Sequence, residues 1–229
     1  ADLDLGEVVA RLARPGAPRA VSLCLYGPPG TGKSLFVRHL AAAMGMEVFE
    51  RRASDILSMW LGGSEKNIAR AFAEARRQRA FLVFDEADSL LGARRDALRS
   101  WEVSQINEML TWMESHELPF ACTTNLAERL DEAALRRFTL RIALAPLDRE
   151  QARRAFRRFF NLEPPTALDA LDLLTPGDFA VVARRATLLG RAEDPQALLS
   201  MLGGEQAAKP GATRPVGFAL HAHATQKEV

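Results

Sequence analysis

Gly27-Pro28-Pro29-Gly30-Thr31-Gly32-Lys33-Ser34 restricts what this chain can fold into more than any other stretch. It stands between the apolar run Ala20 to Tyr26 and a segment with helical spacing, Ser34 to Met44. Strand, glycine-rich turn and helix follow in the order that the pattern G-x-x-x-x-G-K-[ST] requires of its surroundings. Glycines let a backbone wrap closely round an anion with its N–H groups turned inward, and the next helix adds partial positive charge at its N-terminus. Gly27, Pro28, Pro29, Gly30, Thr31, Gly32, Lys33 and Ser34 are therefore the expected cradle of a polyphosphate. Lys33 is expected to reach the β- and γ-phosphates, and the Ser34 hydroxyl to ligate magnesium.

A magnesium ion on phosphate needs a further oxygen ligand, and a second apolar run supplies one. Phe81-Leu82-Val83-Phe84 ends in Asp85-Glu86, a carboxylate pair where a buried strand emerges, which is the ligand-binding edge of an open α/β sheet. Asp85 is read as the magnesium partner and Glu86 as the group that polarises an attacking water. The competing reading makes Asp85 a helix cap. Asp88 is read as ordering the segment after the pair. A third run, Pro119 to Asn125, ends in polar groups, and Asn125 on an adjacent parallel strand would meet the lytic water or γ-phosphate. Its alternative is again a cap or turn. Together these residues predict Mg2+-dependent hydrolysis of ATP.

Strand-like runs at 20–26, 47–50, 81–84, 119–125 and 141–144 alternate with helical patterns at 34–44, 65–78 and 101–114. That alternation predicts an α/β fold of the P-loop NTPase type, with a mainly parallel sheet covered on both faces. From Asp148 onward the patterns are helical only, at 148–160, 167–174 and 176–189. The expected organisation is a large α/β subdomain over 1–147, a small all-helical lid over 148–202, and a Gly/Pro-containing extension over 203–229. The start at Ala1-Asp2-Leu3 suggests a processed or trimmed chain with an upstream domain.

Composition narrows the setting. No apolar run is long enough to cross a membrane. Thirty basic against 29 acidic residues leave a formal charge of +1, so no global field gathers nucleic acid, which is not favoured as a partner. Cys24 and Cys122 lie in apolar runs without metal or C-x-x-C spacing, and read as small buried hydrophobes in a reducing, cytoplasmic compartment.

The three elements in this order, followed by Leu130-Asp131-Glu132-Ala133-Ala134-Leu135-Arg136-Arg137-Phe138 and a helical tail, closely resemble the AAA+ ATPases. The nearer resemblance is to the AAA branch of protein unfoldases and of severing enzymes of the spastin and katanin type. Gly27 to Ser34 resembles Walker A, Phe81 to Glu86 resembles Walker B, and Asn125 resembles sensor 1. The resemblance implies that Arg137, or else Arg136, projects into the ATP site of an adjacent subunit. Where many members continue with Gly-Arg, this chain reads Phe138-Thr139-Leu140-Arg141. Met59-Trp60-Leu61-Gly62-Gly63 resembles pore loop 1, which implies that Trp60 and Leu61 grip a translocating polypeptide. Read without the resemblance, the pair closes a core.

By that likeness the expected assembly is a homo-oligomer, a hexameric ring, with a protein or peptide substrate. Two other readings are a clamp-loader or initiator-type DNA-remodelling ATPase, and a nucleotide-gated adaptor with little hydrolysis.

Overall fold

The computed structural model describes residues 4–57, 62–92, 100–126, 130 and 132–210. All five apolar runs form strands: β1 (Ser22–Tyr26), β2 (Val48–Arg52), β3 (Phe81–Asp85), β4 (Phe120–Thr124) and β5 (Leu140–Ala143). They pair in parallel in the order β2-β3-β4-β1-β5. The runs are almost continuously apolar because both faces of the inner strands are covered. Leu23, Leu25, Phe81, Val83 and Ala121 face one layer. Cys24, Leu82, Phe84, Phe120 and Cys122 face the other. The edge strand β2 carries Glu50, Arg51 and Arg52, and charge on an edge discourages further strand pairing.

Helices α1 (Leu5–Leu12) and α2 (Lys33–Ala43) cover the first face through Leu5, Val9, Leu12, Val37 and Leu40. The other face takes α3 (Ala53–Ile56), α4 (Gly63–Gln78), α5 (Ser100–Ser115) and α6 (Glu132–Arg137). Phe72 on α4 centres that layer: its ring lies 5.4 Å from Phe84, 5.7 Å from Phe120 and 5.0 Å from His116. Cys24 and Cys122 stand opposite each other in the β1–β4 register and both remain free thiols. Burial pushes the Cys24 thiol up to about 12 despite the opposing charge of Arg141, and raises Cys122 as well, so neither is a reactive thiolate.

The helical region has a core of its own. Phe156, Leu168, Leu174, Phe179, Val182, Leu198 and Leu202 are buried among α7 (Arg149–Phe160), α8 (Pro176–Leu188) and α9 (Pro195–Ala207). Asp148 and Gln151 form a capping box at the start of α7. The helical pattern at 167–174 proves to be a short 3-10 turn, Thr166–Ala170, followed by extended chain. Its backbone bonds go elsewhere: Leu173 N–H donates to Gln206 Oε1 at 2.9 Å, and Leu174 C=O accepts from Leu147 N–H at 2.7 Å. Helix α9 runs past residue 202 and through Gly203-Gly204 to Ala207. Each glycine costs a helix about 1 kcal/mol relative to alanine, and full burial of Leu198 and Leu202 holds the helix together.

Among the described residues no helix is long and apolar enough to cross a membrane.

Candidate functional site

The loop after β1 follows from its glycines. Gly27 has φ +137°, and a Cβ there would stand 1.9 Å from Leu144 O, so only glycine lets the loop leave β1 against β5. Gly32, at φ +94°, opens α2 without a side-chain cap. The first N–H groups of that helix are left for an anion. Thr31 Oγ1 donates to Pro28 O at 2.9 Å and braces the turn from inside. Lys33 is almost fully buried, and its Nζ donates to Gly27 O at 2.8 Å and Pro28 O at 2.9 Å. Burial lowers the pKa of this ammonium below its ordinary value, while the charge of Asp85 opposes the shift.

The parallel sheet brings the remaining groups to the same edge. Because β4 lies between β1 and β3, the carboxyl ends of all three converge. Asp85 ends β3 and accepts a hydrogen bond at Oδ1 from Thr123 Oγ1 of β4. Glu86 follows in the left-handed region at φ 58°, ψ 42°. Among the described residues the other non-glycine residues there, Arg79 and Asn161, are helix C-caps, a common use of that conformation. Glu86 closes no such helix, and holding a non-glycine residue there costs about 1–3 kcal/mol. Glu86 is exposed and lines the cleft.

One strand over, Thr124 Oγ1 donates to Asp88 Oδ1 at 2.9 Å and accepts from Leu126 N–H at 3.0 Å. The clamp grips the residues on either side of Asn125 and leaves Asn125 itself exposed. Asp88 thus orders the sensor-like strand end as well as the turn it belongs to.

These residues line one cleft of about 470 Å3, together with part of the lid. Pro29, Gly30, Gly32, Lys33, Ser34, Asp85, Glu86 and Asn125 form one wall; Phe159, Pro176, Gly177 and Ala180 form the other. The volume suits a nucleotide-sized ligand. The walls touch where Gly177 N–H donates to Gly30 O at 2.9 Å. A hard cation takes oxygen ligands and shares them with phosphate, and the Ser34 hydroxyl and Asp85 carboxylate fit that need on one cleft. Among the described residues no cluster of three or more His, Cys, Asp or Glu could hold a metal without such a substrate.

Arg136 and Arg137 do not line this cleft. Arg137 Nε lies 2.5 Å from Glu114 Oε1 and its NH1 donates to Ala133 O at 3.0 Å, whereas the Arg136 side chain is 79% exposed and stands 3.7 Å from Glu132. Trp60 and Leu61 lie outside the described residues. Sequence reasoning missed Phe159, which is 40% exposed and lines the cleft on an otherwise arginine-rich helix. The signal was present in Phe159-Phe160: both rings pack on Phe179, and Phe159 is the more exposed of the two.

Spastin of Anopheles gambiae is 32% identical over 185 residues, covering 74% of this chain and 22% of that protein. The ATP-dependent zinc metalloprotease FtsH 2 of Symbiobacterium thermophilum is 30% identical over 210 residues, 81% of this chain and 36% of that protein. Vacuolar protein sorting-associated protein 4 of Dictyostelium discoideum is 32% identical over 154 residues, 65% of this chain and 35% of its own length. The chain thus spans well under half the length of these curated relatives. Residues 23–146, which carry the phosphate loop, the acidic pair and Asn125, match the model of the ATPase family associated with various cellular activities, and the chain belongs to that AAA family.

Proposed function

We propose that this chain hydrolyses ATP with magnesium and uses the energy to remodel, unfold or translocate a protein substrate through a ring of its own copies. The observation that carries the reading is the meeting of Lys33, Ser34, Asp85, Glu86 and Asn125 on one cleft beneath the lid. The α2 N-terminus and Lys33 neutralise the phosphates. Ser34 and Asp85 would hold magnesium, which would offset charge on the transferring phosphoryl group. Glu86 accepts a proton from the attacking water, and Asn125 orients that water or the γ-phosphate.

Arg136 and Arg137 stand away from their own cleft, which suits a role in a neighbour's. The ion pair of Arg137 with Glu114 supports Arg136 as the freer group, the reverse of the order expected from the sequence. A head-to-tail contact of this kind closes most naturally into a ring, and a hexamer is the proposed form. Loss of γ-phosphate contacts loosens the Gly30–Gly177 junction, the lid turns relative to the sheet, and Trp60-Leu61 carry the movement to a peptide. Free, buried Cys24 and Cys122 support a reducing, cytoplasmic setting.

Phosphate release measured against protein concentration tests the reading. Glu86→Gln is expected to lower kcat about 100-fold or more while ATP still binds. Wild-type rate per chain is expected to climb with concentration, and Arg136→Ala to flatten that climb. Full activity in Glu86→Gln would remove Glu86 from its role. A rate per chain independent of both concentration and Arg136 would remove the shared site.

A further inference from the structure

The end of α9 lies on the segment that forms the lid wall of the cleft. Lys209 Nζ donates to Leu173 O at 2.6 Å and pairs with the nearly buried carboxylate of Asp178. The same Asp178 oxygen accepts from Thr175 N–H at 2.6 Å and from Thr175 Oγ1 at 2.9 Å, completing the cap of α8. Gln206, one turn earlier, holds Leu173 N–H. Between Thr175 and Asp178 lie Pro176 and Gly177, both on the cleft, with Gly177 bonded to Gly30 of the phosphate loop.

The approach is close enough that small changes matter. A Cβ on Gly177 would stand 2.8 Å from Gly30 Cα, and one on Gly30 would stand 2.7 Å from Thr175 Oγ1. The capping turn therefore has no slack between the phosphate loop on one side and the end of α9 on the other. Asp178 is buried and Lys209 largely so, and the ion pair between them is therefore less screened than a surface pair.

We infer that Lys209 is a positioning residue for the nucleotide: it pins Asp178, and through the α8 cap it holds Gly177 against the phosphate loop. This rests on the proposed nucleotide reading of the cleft. Lys209 itself does not line the cleft, so it acts on affinity rather than on the chemical step. Removing its charge frees the capping turn to move off Gly30, while Glu86 and Asn125, which stand on the sheet, keep their places.

The test is binding of a nonhydrolysable ATP analogue with magnesium, alongside steady-state kinetics and thermal unfolding of the nucleotide-free chain. Lys209→Met is expected to raise the Kd about fivefold while kcat at saturating ATP stays within about twofold, and Lys209→Arg to restore affinity. Gln206→Leu, which keeps Lys209 and loses only the Leu173 tie, is expected to raise the Kd about twofold, and it carries the test if Lys209→Met does not fold. Wild-type affinity in both Lys209→Met and Gln206→Leu overturns the inference. So does a loss that Lys209→Arg shares in full, because it then follows shape and not the ion pair. A wild-type chain that binds no analogue overturns the nucleotide reading itself, and is told apart by the first measurement.

Discussion

Of the two walls of the cleft, the one on the sheet is centred on a run of consecutive residues that holds its own shape, and the one on the lid is held in place by a helix end from farther along the chain. Gly27 to Ser34 form a loop whose shape follows from its own glycines and from Thr31 and Lys33, which bond back to Gly27 and Pro28. The lid wall takes Phe159 from α7 and Pro176, Gly177 and Ala180 from the start of α8, with Gln206 and Lys209 holding it from behind. The contrast teaches where tight binding and adjustable geometry reside. The loop is braced by its own backbone and side chains, and the position of the lid wall depends on long-range contacts.

Breaking the local wall gives the largest expected effect. Gly27→Ala forces an unfavourable φ and drives a methyl group into Leu144 O. It is expected to weaken ATP binding at least about 100-fold and to lower stability by several kcal/mol, read by calorimetry and urea unfolding. Binding at the wild-type level would show that the loop is not the rigid wall.

Gly177→Ala probes the other wall. Alanine favours α8 by propensity, so the helix itself is not weakened; its methyl group instead pushes the lid from Gly30 Cα. The ATP KM is expected to rise about five- to tenfold with kcat within about threefold, measured by steady-state hydrolysis. An unchanged KM would mean that the lid contact contributes nothing to affinity.

The smallest effect is expected far from both walls. His116 is 5% exposed, neither ring nitrogen has a hydrogen-bond partner among the described residues, and it packs against Phe72 and Phe120. Burial, aided by the charge of Arg76, lowers its pKa from 6.5 to about 4. Below pH 6.5 the unfolded chain takes up a proton that the folded chain refuses, so stability falls as pH drops from 6.5 towards 4. His116→Leu removes this slope. Between pH 7 and 5 it is expected to lose about 1–2 kcal/mol less than wild type in urea unfolding, with ATP kinetics at pH 7 unchanged. Equal losses in the two proteins would mean that His116 titrates normally.

Much of the sheet wall was legible because its signals are local. A strand, a glycine loop and a helix occupy consecutive residues, and an apolar run ending in Asp85-Glu86 or Asn125 marks a strand edge by composition alone. The lid was legible as helices but not as a wall. The pattern at 167–174 became a 3-10 turn because Leu173 and Leu174 find partners in α9 and in the linker at Leu147. The glycines at 203 and 204 read as a helix end, yet burial of Leu198 and Leu202 carries α9 to Ala207. Arg136 and Arg137 are adjacent and alike in sequence. Glu114, on a helix more than twenty residues away, gives Arg137 an ion pair across elements, while Arg136 reaches Glu132 within its own helix.

The sequence by itself determined the α/β class, the parallel strands and the chemical groups of the sheet wall, because periodicity and loop composition act over a few residues. Tertiary structure decided the strand order that places β4 between β1 and β3, the Thr124 clamp beside Asn125 and the hold of Lys209 on the lid. Each of these depends on contacts between residues far apart in the chain, and such contacts form only when burial of a shared core outweighs the entropy of bringing those segments together.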